Sequence, residues 1–401
     1  MRRVYITGMG AITAAGPDVA SLMKALRENR SCIGPLDLFP TGDTPVQIAG
    51  QVGDIPAPET LDRKDLQRAS RSDLLAAAAT AEAFAESGLA AAPPDPARFG
   101  VAIGSSTGGM LETESYYESY HAGLPLNPHR RTLLSATVGA SADLVASMVG
   151  AQGRRLAPST ACSSSALAIA MGKLWIESDA ADVVVAGGTD ALCRMTFSGF
   201  QSLRAMSPEP CRPFDLNRQG LSLGEGAGIV ILESESHAAK RGALPLARVA
   251  GAGMSCDATH PTAPHEESRG AIAALSGALE DAGLVPGDID YINAHGTGTP
   301  QNDAAEARAI RRVLGDTGDC PVSSTKGVFG HLLGAAGSVE AILSSRAMIE
   351  GFLPPQVGLL DPDPECLLSF VREPHPAVLE IVVSNSYGFG GNNVSLALSR
   401  T

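Results

Sequence analysis

Four segments hold the side chains whose types and spacing suit chemistry. In PSTACSSSALAIAMGKL, Pro158 to Leu174, Cys162 follows a turn of small residues and opens a helix-forming stretch. Unpaired backbone N–H groups and the helix dipole at such a position stabilise a thiolate, which makes the cysteine a candidate nucleophile. The same surroundings suit a small buried packing cysteine, and the segment alone leaves both readings open. In NAHGTGTPQND, Asn293 to Asp303, His295 ends an apolar strand, where α/β sheets present ligand contacts, and the flanking glycines allow close approach. Thr297 and Thr299 offer hydrogen bonds along an extended ligand, and Asp303 reads as the N-cap of the helix AAEARAIRRVL. A core histidine fits the same position.

Lys326 and His331 share the third segment, SSTKGVFGHLLGAAGSVE, with Glu340 in the helix that follows. Val328, Phe329 and two leucines among these polar groups point to an interior site, in which a buried lysine and glutamate require each other. The fourth, SNSYGFGGNN from Ser384 to Asn393, sets three glycines around Phe389. It reads as a mobile loop with an aromatic gate or as a tight turn between strands.

Short β-branched runs alternate with alanine-rich helical stretches, which predicts an α/β fold with mostly buried strands. The runs are Val4 to Ile6, Gly100 to Gly104, Val183 to Ala186, Gly228 to Leu232, Asp290 to Ala294, Ile381 to Ser384 and Val394 to Leu398. Ser72 to Leu89 and Ser268 to Leu284 echo each other as alanine-rich helices ending in acidic-x-Gly-Leu, with Gly88 and Gly283 as left-handed caps. The echo suggests duplication, although helix-Gly-turn-strand is common in any α/β protein. Lys240 and Arg241 mark a boundary between the two copies, giving halves 1–239 and 240–401.

Composition narrows the rest. With 401 residues, 44% hydrophobic and 18% charged, the chain suits large, well-filled cores, and no apolar run reaches membrane-spanning length. Arg2 and Arg3 before VYITGMGAIT imitate a signal peptide, but the run is short, β-branched and broken by Gly8 and Gly10, so it reads as a first buried strand. Seven cysteines without Cys-x-x-Cys pairs argue for a reduced, cytoplasmic setting, and the eight histidines lack metal-site spacings. No cofactor fingerprint is present, since Gly8-Met9-Gly10 lacks the third glycine of a dinucleotide site. A formal net charge of −13 argues against nucleic acid and anionic membranes as partners.

A helix-start cysteine, two histidines after strands and a glycine-rich loop together describe acyl transfer to sulfur followed by carbanion chemistry. On TACSSS, NAHGTGT, STKG, GHLLGAAG and GFGG, in that order and over essentially its full length, the chain resembles the elongating β-ketoacyl-acyl-carrier-protein synthases. That resemblance implies a thiolase-like fold of two duplicated halves in α-β-α-β-α layers. It assigns the nucleophile to Cys162, the catalytic histidines to His295 and His331, and their accompanying lysine to Lys326. Thr297, Thr299 and Glu340 become substrate-side residues, and Phe389 the gating residue, with the oxyanion hole at the N–H groups of Cys162 and Phe389.

The implied reaction is decarboxylative condensation of a cysteine-bound acyl chain with malonyl carrier, with no metal or organic cofactor. The implied partners are an acidic acyl carrier protein and a second subunit, either a homodimer mate or a chain-length factor. Carrier contacts are expected at Arg63, Lys64, Arg68, Arg71, Arg130, Arg131 and Arg204. Asn392, where primary fatty-acid enzymes usually carry Thr, and the TACSSS and PQND segments are closer to polyketide and aryl-polyene synthases. A thiolase is disfavoured because the C-terminal glycine loop holds Phe389 and no cysteine, while Cys366 lies in an acidic turn. The alternative from another class is a non-catalytic or heterodimer-dependent chain-length partner, a role that usually goes without the nucleophilic cysteine.

Overall fold

A computed structural model describes residues 2–126, 130–315 and 319–401. Eleven strands build one mixed sheet: β1 (Val4–Thr13), β2 (Phe99–Gly104), β3 (Arg155–Leu156), β4 (Val183–Asp190), β5 (Gly226–Ser234), β6 (Ala247–Cys256), β7 (Tyr291–Asn293), β8 (Pro321–Ser323), β9 (Ser369–Phe370), β10 (Ile381–Gly388) and β11 (Asn392–Ser399). Their order across the sheet is β9-β8-β7-β10-β11-β6-β1-β5-β4-β2-β3.

This order is a palindrome of two halves. In the first, β1 runs antiparallel to β5, β5 antiparallel to β4, and β4, β2 and β3 are parallel. The second repeats the pattern with β6, β11, β10, β7 and β8. The halves meet where Tyr5 and Ile6 of β1 pair with Arg248 and Ala247 of β6, so the two sheets expected from the sequence are joined edge to edge.

The helices repeat as well: α1 (Arg71–Ser87) in the first half matches α4 (Arg269–Ala282) in the second, and α2 (Ser164–Glu177) matches α6 (Ala336–Glu350). α1 and α4 lie against β1 and β6 as outer layers, while α2 and α6 pack on each other between the halves. Glycines set both outer contacts. A Cβ on Gly8 or Gly10 of β1 would stand 2.1 or 2.0 Å from the carbonyl oxygens of Ala83 and Ala79 in α1. The same collision recurs at 2.3 and 1.9 Å between Gly251 and Gly253 of β6 and Ala278 and Ala274 of α4. These glycines hide β6 from a reading based on β-branched residues, and it is the one long strand the sequence did not disclose.

Gly88 (φ +68°) and Gly283 (φ +70°) cap α1 and α4 in the left-handed conformation, as expected. Lys240 and Arg241 lie in the short helix α3 (Glu235–Arg241), and Arg241 is paired with the buried Glu233. SNSYGFGGNN forms the end of β10, a tight turn at 389–391 and the start of β11.

Candidate active site

Three connections converge beside one cavity. Cys162 lies in the single turn Ala161–Ser163 that opens α2, and the preceding Ala161 takes φ +53°, a left-handed conformation unfavourable for a residue with a Cβ. His295 follows β7, Lys326 follows β8, and His331 sits just before α6. Ligand atoms of Cys162, His295 and His331 all lie within 4.8 Å of one another. The two imidazole rings meet edge to face with centroids 5.3 Å apart.

Hydrogen bonds fix which nitrogen of each ring carries the proton. Lys326 Nζ stands 3.3 Å from His295 Nδ1 and donates to the His295 carbonyl at 2.6 Å. An ammonium only donates, so His295 Nδ1 accepts and the proton resides on Nε2. The backbone N–H of Leu333, itself at φ +51°, donates to His331 Nδ1 at 3.2 Å, with the same consequence. Both histidines therefore present an Nε2–H donor. Burial, together with the Lys326 charge, holds both imidazoles well below the usual histidine range, so they are neutral at pH 7.

Burial also governs the candidate nucleophile. It pushes the Cys162 thiol up to about 11, against the opposing pull of Lys326 and of the backbone N–H groups of Phe389 and Cys162 itself. The helix start thus supplies N–H donors as the sequence suggested, but desolvation outweighs them and the resting sulfur is a thiol. Those two N–H groups converge on the sulfur and form the candidate oxyanion hole.

The cavity holds about 390 Å³ and is lined by Cys162, His295, His331, Thr297, Thr299 and Phe389, among others. The Thr297 and Thr299 hydroxyls are 2.9 Å apart. Phe389 stacks on Phe200 with centroids 5.5 Å apart, a partner the sequence did not single out. His260 also lines the wall, with Nδ1 engaged by the N–H groups of Thr262 and Ala263.

Three expectations need correction. Glu340 is absent from the cavity wall; fully buried on α6, it pairs with Lys326 from behind, and burial raises its carboxyl to about 7. Arg71 is unavailable for docking because its guanidinium grips the buried Glu225 at 2.6 and 2.9 Å and donates to the Val52 carbonyl. Asp303 does not cap its helix from outside: it sits in the first turn of α5 (Pro300–Leu314) and accepts from Thr297, Gly298 and Phe214 N–H. The other basic candidates, Arg63, Lys64, Arg68, Arg130, Arg131 and Arg204, are exposed. Glu306 was missed. It accepts the His295 and Gly296 N–H groups at 2.8 and 2.7 Å and so anchors the loop that carries His295. Its signal was an acidic residue on the face of α5 turned toward that loop.

A thiol and two imidazoles this close also form a metal-like donor set, which linear spacing did not reveal. The buried ammonium 3.3 Å from His295 places a positive charge beside them, and that opposes a cation.

Residues 1–238 match the family described as Beta-ketoacyl synthase, N-terminal domain, and residues 246–360 its C-terminal domain. Nodulation protein E of Rhizobium meliloti strain 1021 is 39% identical over all of this chain and 99% of its own length. The 3-oxoacyl-[acyl-carrier-protein] synthase 2 of Synechocystis sp. strain PCC 6803 is 37% identical over all of this chain and 98% of its own. Among solved structures, the ishigamide ketosynthase/chain length factor superposes with a TM-score of 0.94 at 34% identity, covering 100% of this chain and 99% of that one.

Proposed function

The chain belongs to the β-ketoacyl synthase family, and from that premise we propose that it is a 3-oxoacyl-acyl-carrier-protein synthase acting by decarboxylative Claisen condensation. The observation that carries this reading is the pair of Nε2–H donors aimed, with the Cys162 thiol, into one cavity.

In the first step the Cys162 sulfur attacks the thioester carbonyl of an acyl carrier. The oxyanion meets the N–H groups of Cys162 and Phe389, the carbon–sulfur bond to the pantetheine breaks, and the thiol proton leaves with the pantetheine sulfur. In the second, malonyl carrier loses carbon dioxide, and its two bonding electrons become an enolate whose oxygen accepts from His295 and His331 Nε2–H. Neutral donors suit this task, because each further positive charge would be buried beside Lys326. The enolate carbon then bonds to the acyl carbon and expels the Cys162 thiolate, which regains a proton at neutral pH because its thiol titrates near 11. Thr297 and Thr299 stand along the approach, where a pantetheine amide would bind. The residues performing these steps require no metal or organic cofactor.

The exposed Arg63, Lys64, Arg68, Arg130 and Arg131 give an otherwise acidic protein a basic surface for an acidic carrier. A homodimer is the proposed assembly: the helix Met110–His121 buries none of its residues within the subunit and exposes Tyr117 and Tyr120. The similarity to a ketosynthase/chain length factor supports a second reading, a catalytic subunit that works beside a non-identical partner. Seven free cysteines fit the proposed cytoplasmic setting. The test is formation of 3-oxoacyl carrier from acyl and malonyl carriers. The account expects product and carbon dioxide in equal amounts from the wild type and no product from Cys162→Ala; elongation by Cys162→Ala would refute it.

A further inference from the structure

Asp190, the last residue of β4, is a fully buried carboxylate that the reaction above does not use. Among the described residues no cation pairs with it; neutral donors hold it instead. Its Oδ1 accepts from Ser105 Oγ (2.8 Å), Ser106 N–H (2.9 Å), Thr107 N–H (2.8 Å) and Thr107 Oγ1 (2.9 Å). Its Oδ2 accepts from Gly334 N–H at 2.6 Å and shares the Ser106 N–H at 3.0 Å. Burying a carboxylate is costly unless its lone pairs are filled, and here they are filled by two loops distant in sequence.

Each loop leads to one half of the catalytic apparatus. On the Oδ1 side, Ser106 Oγ donates to the carbonyl of Ala161 at 3.2 Å, and Ala161 is the left-handed residue that aims Cys162. On the Oδ2 side, Gly334 directly follows Leu333, the left-handed residue whose N–H sets the His331 proton on Nε2. Gly334 leaves no slack, since a Cβ there would lie 2.7 Å from Asp190 Oδ2. Two backbone positions of unfavourable conformation, one beside the nucleophile and one beside the enolate donor, are thus tied through a single anion.

We infer that Asp190 is a positioning residue that sets the nucleophile turn and the His331 loop at a fixed separation, so that the enolate forms within reach of the Cys162 thioester. Asp190→Asn separates the two arms. Its carboxamide oxygen replaces Oδ1 for the 105–107 donors, while its NH₂ faces the Gly334 N–H and cannot accept from it. The His331 arm is lost and the cysteine arm kept. Ser106→Ala does the reverse, removing the bond to Ala161 while leaving Gly334 bound to the carboxylate.

This inference rests on the proposed condensing activity, so the test measures its two half-reactions separately. Cys162 acylation is followed by intact mass with an acyl carrier, and carbon dioxide release is followed with malonyl carrier. Asp190→Asn is expected to lower decarboxylation about tenfold or more while acylation stays within about twofold, and Ser106→Ala to slow acylation with decarboxylation nearly unchanged. Parallel losses in both half-reactions that track the fall in melting temperature, or no loss in either variant, would overturn the positioning role. If Asp190→Asn does not fold, the selectivity of Ser106→Ala decides alone. A wild type that performs neither half-reaction would refute the condensing activity itself, a result distinct from these.

Discussion

The ammonium of Lys326 faces His295 Nδ1 across 3.3 Å, and that contact confines the imidazole proton to the nitrogen turned toward the substrate. Lys326 is held there by Glu340 behind it and by the His295 carbonyl. In the proposed mechanism Lys326 therefore acts through a histidine.

Replacing Lys326 with Met should remove this control and leave Glu340 buried alone. Decarboxylation of malonyl carrier is expected to fall by about 10² or more, the scale of losing one preorganised donor. Stability should fall by about 3–5 kcal/mol, the cost of stranding one partner of a buried pair. The double variant Lys326→Met/Glu340→Gln should recover much of the stability and none of the rate. Recovery of both in denaturant and turnover measurements would contradict the assigned role.

The Cys162 thiol titrates near 11, so its alkylation by iodoacetamide should keep rising from pH 7 through pH 10 without a plateau. A plateau below pH 8 would mean that the resting sulfur is a thiolate. Cys162→Ala should abolish condensation, and Cys162→Gln should keep malonyl decarboxylation, because its carboxamide imitates an acylated cysteine in the oxyanion hole.

Histidines held neutral make stability depend on pH. His331 is depressed below 6.5 when folded, so the unfolded chain binds more protons as pH falls through 6.5, and this contribution is present above 6.5 and lost below it. Glu306 and Glu340, raised to about 7, act in the opposite direction, but they are common to wild type and variant. The stability advantage of wild type over His331→Asn should therefore shrink between pH 7.5 and pH 5. An advantage that grows toward pH 5 would show that His331 is protonated in the folded protein.

Charge reversal should separate docking from structural arginines. Arg68→Glu with Arg131→Glu is expected to raise the carrier KM several-fold with kcat and melting temperature little changed, and more so at low salt. Arg71→Glu, only three residues from Arg68, should instead destabilise the protein, because it places a second carboxylate against buried Glu225. Equal carrier KM values for wild type and the Arg68/Arg131 variant would remove this surface from the account.

The chemistry was legible because its parts lie in short contiguous motifs: Cys162 before a helix, and His295, Lys326 and His331 after strands. What escaped was whatever depends on contacts between distant segments. Asp190 acts through backbone N–H groups distant in sequence, with nothing in its own neighbourhood to mark it, and Glu306, eleven residues after His295, is marked only by its place on α5. Arg71 resembled its exposed neighbours, and only the fold reveals Glu225 beneath it. The strand β6 was concealed by the glycines that let α4 approach, although the same device in β1 sat among β-branched residues and was found.

The central claim is that Cys162 carries the acyl chain, and intact mass measured after incubation with acyl carriers of two to sixteen carbons tests it most directly. The account predicts a mass increase equal to one acyl group on the wild type, none on Cys162→Ala, and loss of the group when malonyl carrier is added. An acylated Cys162→Ala, or a wild type left unmodified by every carrier both alone and with a partner subunit, would contradict it.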